Sequence, residues 1–420
     1  MSTADTYVIV GASLAGAKAA QTLREEGFDG AVVLIGAEEI RPYERPPLSK
    51  DLLLGKAEPD SAFVHEPGWY AEHSIDLRLG RRATAIDRQA RQVRLEDGSS
   101  VAYTRLLLTT GASPRPLPVP GADLDGVVYL RTQGESEVLA AALHEGGQGG
   151  GQVVIVGAGW IGLEVAAAAR QAGCQVTIVE PDPTPLYRWV GPELGAVFAG
   201  LHLSHGVRFV HGESISELRP GDVSVPGAHR DSVGLAVTSA GTEIAADLVV
   251  AAIGVTPNTG LAADAGLEVD NGILVDQSLR TSDPDIFAAG DVANAYNPLL
   301  GRRIRVEHWS NALNGGPAAA RAMLGQEVSY DRVPYFFSDQ YDLGMEAAGV
   351  PEPGGYDQVV YRGEPSSLEF VAFWLQDGRV VAGMNVNVWD VNDAIQALIR
   401  SKTRVDIARL TNPEIPLNEA

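Results

Sequence analysis

The chain has 420 residues, 45% of them hydrophobic, with 32 basic against 54 acidic side chains and a formal net charge of −22. That length suits two or three domains, and the apolar content is ample for packed cores. The acidic excess argues against general nucleic-acid binding, since a polyanion would be repelled, and the single cysteine excludes an intrachain disulfide and any C-x-x-C or C-x4-C redox pair.

Residues 1–6 are polar, and the apolar stretch after them is broken by Gly11 and Gly16. This is neither a secretory signal nor a bilayer span, so a cytoplasmic protein is expected. The first predicted unit is βαβ: strand 6–10, helix 14–26, strand 31–35. Its turn, within YVIVGASLAGAKAAQTL, follows G-x-(G/S)-x-x-G through Gly11, Ser13 and Gly16. Such a turn lets backbone N–H groups approach a pyrophosphate at the positive end of a helix. Ser13 stands in for the second glycine. Gly36 occupies the place of the acid that would follow the strand, with Glu38 and Glu39 the nearest carboxylates. The proline-rich IRPYERPPLSKDLLLG comes next and predicts no regular structure until Ser49, with Lys50 opening a helix. Residues 84–110 predict strands that end in Leu106, Leu107 and Leu108 and the turn Thr109–Thr110–Gly111. The run GASPRPLPVPGA, 111–122, predicts a stiff connector where the chain crosses between domains.

A glycine-rich piece, 146–151, reads as a loop leading into a second fingerprint, QVVIVGAGWIGLEVAAAAR, from Gln152 to Arg170. Here Gly157, Gly159 and Gly162 fill all three glycine positions, and a helix is predicted over 160–172. The strand 176–179 ends in Glu180, about 20 residues past the turn, where an acid bonds a ribose 2′-OH and repels a 2′-phosphate, favouring NADH over NADPH. Cys174, between helix and strand, reads as a buried structural thiol. The apolar run from Leu248 to Gly254 predicts a strand leaving this unit, and IFAAGDVA, 286–293, a strand entering a helix. From about residue 330, alternating aromatic and apolar positions predict an α+β domain. The eight histidines form no metal-ligand constellation. Two fingerprints in one chain point to two dinucleotides with electrons passing between them.

The chain resembles the FAD-dependent, NADH-using ferredoxin reductases of bacterial oxygenase and cytochrome P450 systems, the putidaredoxin- and rubredoxin-reductase-like group. The motifs that carry the resemblance run almost end to end. They are GASLAG (11–16), RPPLSK (45–50), TTGASPR (109–115), YLRT (129–132), GAGWIGLEVA (157–166), IGVTPN (253–258), AAGDVA (288–293), EHWSNA (307–312) and SDQYD (338–342). The resemblance implies an α/β, glutathione-reductase-like flavoprotein with two dinucleotide-binding domains. A discontinuous FAD domain would span 1–112 and 250–328, an NADH domain 113–249, and a C-terminal α+β domain 329–420.

By the same resemblance, FAD rests on Gly11, Ser13, Ala15 and Gly16, with Arg45, Lys50, Ala83 and Arg131 also in contact. Thr110, Gly111 and Gly290 belong to that site. Asp291 accepts hydrogen bonds from the flavin's sugar-alcohol chain, Trp309 lies against the isoalloxazine, and His308 is a neighbour of the site, not a base. NADH takes Gly157, Gly159, Trp160, Ile161, Gly162 and Glu180, with Arg188 and Gly254. Glu164 would hydrogen-bond near the nicotinamide amide. Without the resemblance, Glu164 reads as an ordinary helix-surface glutamate. Lys50 would offset negative charge on the reduced ring. No cysteine pair stands ready to accept two electrons, so a one-electron iron–sulfur partner fits the flavin's discharge. Arg302, Arg303 and Arg305, just before Trp309, form a candidate docking patch for an acidic ferredoxin. An NADH oxidase or quinone-type reductase, and an NADH-sensing flavoprotein resembling apoptosis-inducing factor, are the competing functions.

Overall fold

The computed structural model describes residues 5–221, 232–351 and 354–419. The chain folds as two compact units. The first comprises the chain up to Glu44, Asp60–Ser113 and Val255–Pro334; the second comprises Arg45–Pro59, Pro114–Gly254 and the chain from Tyr335 onward.

In the first unit the strands run parallel in the order Ile286–Ala288, Arg105–Leu108, Thr6–Val10, Ala31–Ile35 and Ile75–Arg78. Parallel strands covered on both faces carry continuous apolar runs, and Val8, Ile9, Leu34, Leu106 and Leu107 are fully buried. The helix Leu14–Glu25 packs on the helix Trp309–Met323. That approach requires glycine at 316, where a Cβ would lie 2.2 Å from the Ala15 carbonyl oxygen. Two small three-stranded sheets accompany the parallel one; the first, antiparallel, holds Ala83–Asp87, and the second, mixed, ends at the edge strand Arg302–Ile304.

The second unit repeats the plan. Its parallel order is Arg208–His211, Gln175–Glu180, Gln152–Val156, Leu248–Ala251 and Val127–Val128. Its C-terminal part is a five-stranded antiparallel sheet in the order Tyr335–Gln340, Leu343–Gly349, Arg379–Val386, Glu369–Gln376 and Gln358–Glu364.

Several elements differ from the expectations. Residues 286–293 do not enter a helix: Gly290 has φ +76°, a short 3-10 turn covers Gly290–Val292, and the chain continues as the strand Ala293–Asn297. The glycine-rich piece is not a loop but the end of a helix, Gln133–Gly149, started by a Thr132–Glu135 capping box. Gly147 permits this, because a Cβ there would lie 1.9 Å from the Ala172 carbonyl oxygen. A helical segment over Tyr187–Ser204, broken at Gly191 where φ is +79°, has no counterpart among the expected elements. Lys50 does not open a helix; it closes the 3-10 turn Pro46–Ser49. The segment 45–59, expected with the first dinucleotide domain, packs in the second unit, where Leu53 enters the core and the Ser136 hydroxyl donates to the Leu48 carbonyl at 2.7 Å. Cys174 is fully buried, its thiol on the Leu143 carbonyl, and burial pushes its pKa up.

Candidate functional site

Both glycine turns are built by backbone contact. In the first unit, Gly11 has φ +120°, and a Cβ there would lie 2.1 Å from the Thr109 carbonyl oxygen. Gly16 sits equally close to the carbonyl of Gly11. Thr109 Oγ1 donates to the Gly11 carbonyl at 2.8 Å, tying the turn to the end of the neighbouring strand. Ser13 occupies the N-cap of Leu14–Glu25 in extended conformation without a side-chain capping bond. The first-turn amides are therefore not satisfied by their own cap, which suits an anion. Gly36 is explained sterically: a Cβ would lie 2.6 Å from that of Ala12. Of the two nearby acids, Glu38 accepts a 2.6 Å hydrogen bond from Tyr43 and Glu39 is exposed.

The first unit also holds Ala15, Thr110, Gly111, Gly290, Asp291 and Trp309, each on its own support. Ala15 is buried against Gly290 and Gly316. Thr110 and Asn258 lock reciprocally, each donating at 2.8 Å to the other's carbonyl, while Asn258 N donates to the carbonyl of Gly111. Asp291 lies in the 3-10 turn after Gly290. Trp309 is the first residue of its helix, and its indole N–H donates to Glu44 at 3.0 Å, which fixes the ring plane. Burial pushes the neighbouring His308 imidazole down to about 4, with Asp291 opposing. Ala83 starts its strand and packs against the unit's core.

In the second unit, Gly157 at φ +100° would bring a Cβ to 2.5 Å from the Ala252 carbonyl oxygen, and Gly162 one to 2.2 Å from that of Gly157. Gly159 differs: it is exposed, it caps Trp160–Ala172 with no side-chain bond, and a Cβ there meets nothing within 4 Å. The first and third glycines thus serve packing, while the second faces outward. Glu180 is buried at the strand end, accepting from Ala158 N at 2.6 Å and Asp182 N at 2.9 Å. Its carboxylate thereby fastens the glycine turn to the loop that follows. Arg188 is exposed and paired with Asp182 at 2.8 Å. Trp160 packs edge-on to Phe198, Ile161 is exposed, and Gly254 at φ +92° accepts from Arg115 N.

Glu164 is no helix-surface glutamate. Only 4% of it is exposed, and its carboxylate accepts from Lys50 Nζ at 2.8 Å, from Ser338 Oγ at 2.6 Å and from Ser49 Oγ. The Lys50 ammonium also lies 5.2 Å from the centre of the Phe337 ring, a cation–π distance. Arg45 donates to the carbonyl of Arg131, and Arg131 N to Glu135 at 2.8 Å. Arg45, Lys50 and Arg131 all belong to the second unit, not to the one that holds the first glycine turn. Sequence reasoning did not give roles to Ser49, Phe337 or Ser338, although RPPLSK and SDQYD contain two of them.

The three candidate docking arginines are not equivalent. Arg305 is 11% exposed along its side chain and pairs with Glu307, so it offers little free charge. Arg303 is exposed on the edge strand, with Nη1 donating to the carbonyls of Val275 and Asn294, and Arg302 is half-buried.

The pattern of the family described as pyridine nucleotide-disulphide oxidoreductase matches residues 5–316, and that described as reductase C-terminal matches 335–420. The chain is 41% identical to the ferredoxin–NAD(+) reductase component of an anthranilate 1,2-dioxygenase system from Burkholderia cepacia, over 99% of this chain and 98% of that one. It is 36% identical to putidaredoxin reductase from Pseudomonas putida, over 100% and 97%. Among solved structures, a ferredoxin reductase from Rhodopseudomonas palustris superposes with a TM-score of 0.92 at 36% identity, covering 99% of this chain and 100% of that one. The reductase in a covalent putidaredoxin reductase–putidaredoxin complex does so with the same score and identity, covering 99% and 97%. Among the described residues, no helix is long and apolar enough to cross a membrane.

Proposed function

The chain belongs to the pyridine nucleotide-disulphide oxidoreductase family and carries a reductase C-terminal domain, and on that premise we propose that it is an NADH-dependent ferredoxin reductase. It uses FAD, and it supplies a small iron–sulfur ferredoxin that serves an oxygenase or cytochrome P450. One observation carries the choice of acceptor: in a family named for disulphides, this chain has a single cysteine, and that thiol is buried. No dithiol can receive an electron pair, which leaves an external carrier. Relatives named as ferredoxin reductases, matched over 96% or more of their length, support the same choice.

When bound, FAD supplies the conversion between a two-electron hydride from NADH and single electrons for an iron–sulfur centre. The residues present fit both dinucleotides, because each glycine turn leads into a helix whose first amides lack a side-chain cap. Gly11, Ser13, Ala15 and Gly16 are assigned to the FAD pyrophosphate, Asp291 to the sugar-alcohol chain and Trp309 to the face of the ring. Thr110, Gly111, Gly290 and Ala83 are assigned to that site. Gly157, Gly159, Trp160, Ile161 and Gly162 take the pyrophosphate of NADH, with Gly254 and Arg188 nearby.

Glu180 and Asp182 present carboxylates where a 2′-phosphate would sit, which selects NADH. Glu164 accepts the nicotinamide amide, a positioning task more than an acid–base one. Lys50, held by Glu164, would supply positive charge to a bound flavin. Arg302 and Arg303 supply the local positive field for an acidic partner, with Arg305 a minor contributor.

The FAD-reconstituted protein is expected to reduce cytochrome c with NADH only when a [2Fe–2S] ferredoxin is added. Rapid NADH consumption with peroxide formation and no need of ferredoxin would contradict the proposal.

A further inference from the structure

The hydrogen bonds at Glu164 continue away from it through the core of the second unit. Along the strand Tyr335–Gln340 the two-residue period turns Ser338 and Gln340 inward, 0% and 1% exposed. Gln340 Nε2 lies 3.1 Å from Ser338 Oγ, and its Oε1 lies 2.9 Å from His202 Nε2. His202, 0% exposed, follows Leu194 and Phe198 on the buried stripe of Tyr187–Ser204. Its Nδ1 faces the Tyr341 hydroxyl at 3.4 Å.

The chemistry of these groups assigns every proton. As the carboxylate partner of Lys50, Glu164 only accepts, so Ser338 gives it the hydroxyl hydrogen. Ser338 Oγ must then accept from the amide of Gln340, which turns Gln340 Oε1 toward His202. An amide oxygen cannot donate, so Nε2 of His202 carries the hydrogen and Nδ1 accepts from Tyr341. Burial pushes the His202 imidazole down to about 4, so the ring is neutral at working pH, as this pattern requires. All four donors point the same way, toward Glu164, and such aligned chains strengthen one another.

We propose that Gln340 and His202 are positioning residues for the nicotinamide, acting through Ser338 to hold the Glu164 carboxylate in one orientation. Lys50 and Ser338 fill both lone pairs of Oε1, and Ser49 takes one on Oε2. Among the described residues that leaves one acceptor direction, on Oε2, for a carboxamide N–H. Without the relay the Ser338 hydroxyl is free to turn to another acceptor, and the carboxylate loses its reference. The relay rests on the reading of Glu164 as the partner of the nicotinamide amide.

Calorimetric binding of NAD+ and of ADP-ribose, which lacks the nicotinamide, separates positioning from general damage. His202→Leu fills the core but cannot donate to Gln340; it is expected to weaken NAD+ binding by about five- to tenfold and to leave ADP-ribose within twofold. His202→Gln restores a donor and is expected to bring NAD+ back to within twofold of the parent. Equal losses for both ligands, no loss for either, or failure of His202→Gln to restore NAD+ binding would overturn the relay. A parent protein that binds neither ligand would overturn the proposed function itself.

Discussion

Replacing Lys50 with Met keeps a stem of similar length and removes the cation bonded to Glu164. The two groups are 2.8 Å apart, with side-chain exposures of 14% and 3%. Stripping one partner from a buried ion pair costs about 3–5 kcal/mol, because the remaining charge stays desolvated. Ser49 and Ser338 would still donate to the orphaned carboxylate, which places Lys50→Met at the lower end, about 3 kcal/mol. For a unit of this size that is a fall in Tm of roughly 6–12 °C, read by differential scanning calorimetry of the FAD-loaded protein. The double variant Lys50→Met/Glu164→Gln leaves no charge at this position, keeps an amide for Ser49 and Ser338, and should recover to within about 1 kcal/mol of the parent. A Tm drop of less than about 2 °C in Lys50→Met, or a double variant no better than the single, would show that the pair is solvated and would refute the reasoning.

The glycine turns make paired predictions. Gly162→Ala forces a Cβ against the Gly157 carbonyl and should lower stability by roughly 2 kcal/mol, measured by urea unfolding. Gly159→Ala meets nothing and should leave stability within about 0.5 kcal/mol, yet raise the Kd for NADH because the added methyl stands where the pyrophosphate approaches. His202 titrates near 4 when folded, against an ordinary value of 6.5, because burial disfavours the imidazolium. The unfolded chain therefore takes the proton first, so this contribution is complete above pH 6.5 and is lost as pH falls toward 4. Its limit is about 3 kcal/mol, and His202→Gln should flatten the acid limb of a stability–pH curve by that share. Asp182→Ala removes the carboxylate paired with Arg188 and should shift the NADH/NADPH ratio of kcat/KM toward NADPH by about tenfold. Charge reversal at Arg302 and Arg303 should raise the apparent KM for ferredoxin several-fold while sparing NADH–ferricyanide activity; equal loss in both assays would remove the docking patch.

How much was legible in the sequence follows from how local each requirement is. Gly11, Gly157 and the apolar strands before them answer to contacts within one βαβ unit, so short motifs reveal them. Glu164 does not. Its partners stand at 49, 50 and 338, and only the folded chain shows that a glutamate on a helix is buried among three donors. His202 was invisible for a related reason, since its place on the stripe with Leu194 and Phe198 matches an apolar core position. At 286–293 the chain forms a strand, turn and strand in place of a strand and helix, because Gly290 takes a positive φ that no helix continues. The misread helix end at 146–149 turned on Gly147, whose missing side chain permits packing on Ala172 that no local signal records. Arg305 reads as a free cation in the sequence, yet Glu307, two residues on, is bonded to it.

The most direct test of the central claim is anaerobic stopped-flow absorbance of the FAD-loaded protein mixed first with NADH, then with a [2Fe–2S] ferredoxin. Rapid bleaching of the flavin band by NADH, slower bleaching by NADPH, and return of the band on adding oxidised ferredoxin are predicted. A band that bleaches but does not return with ferredoxin, or a protein that retains no flavin, would contradict the account.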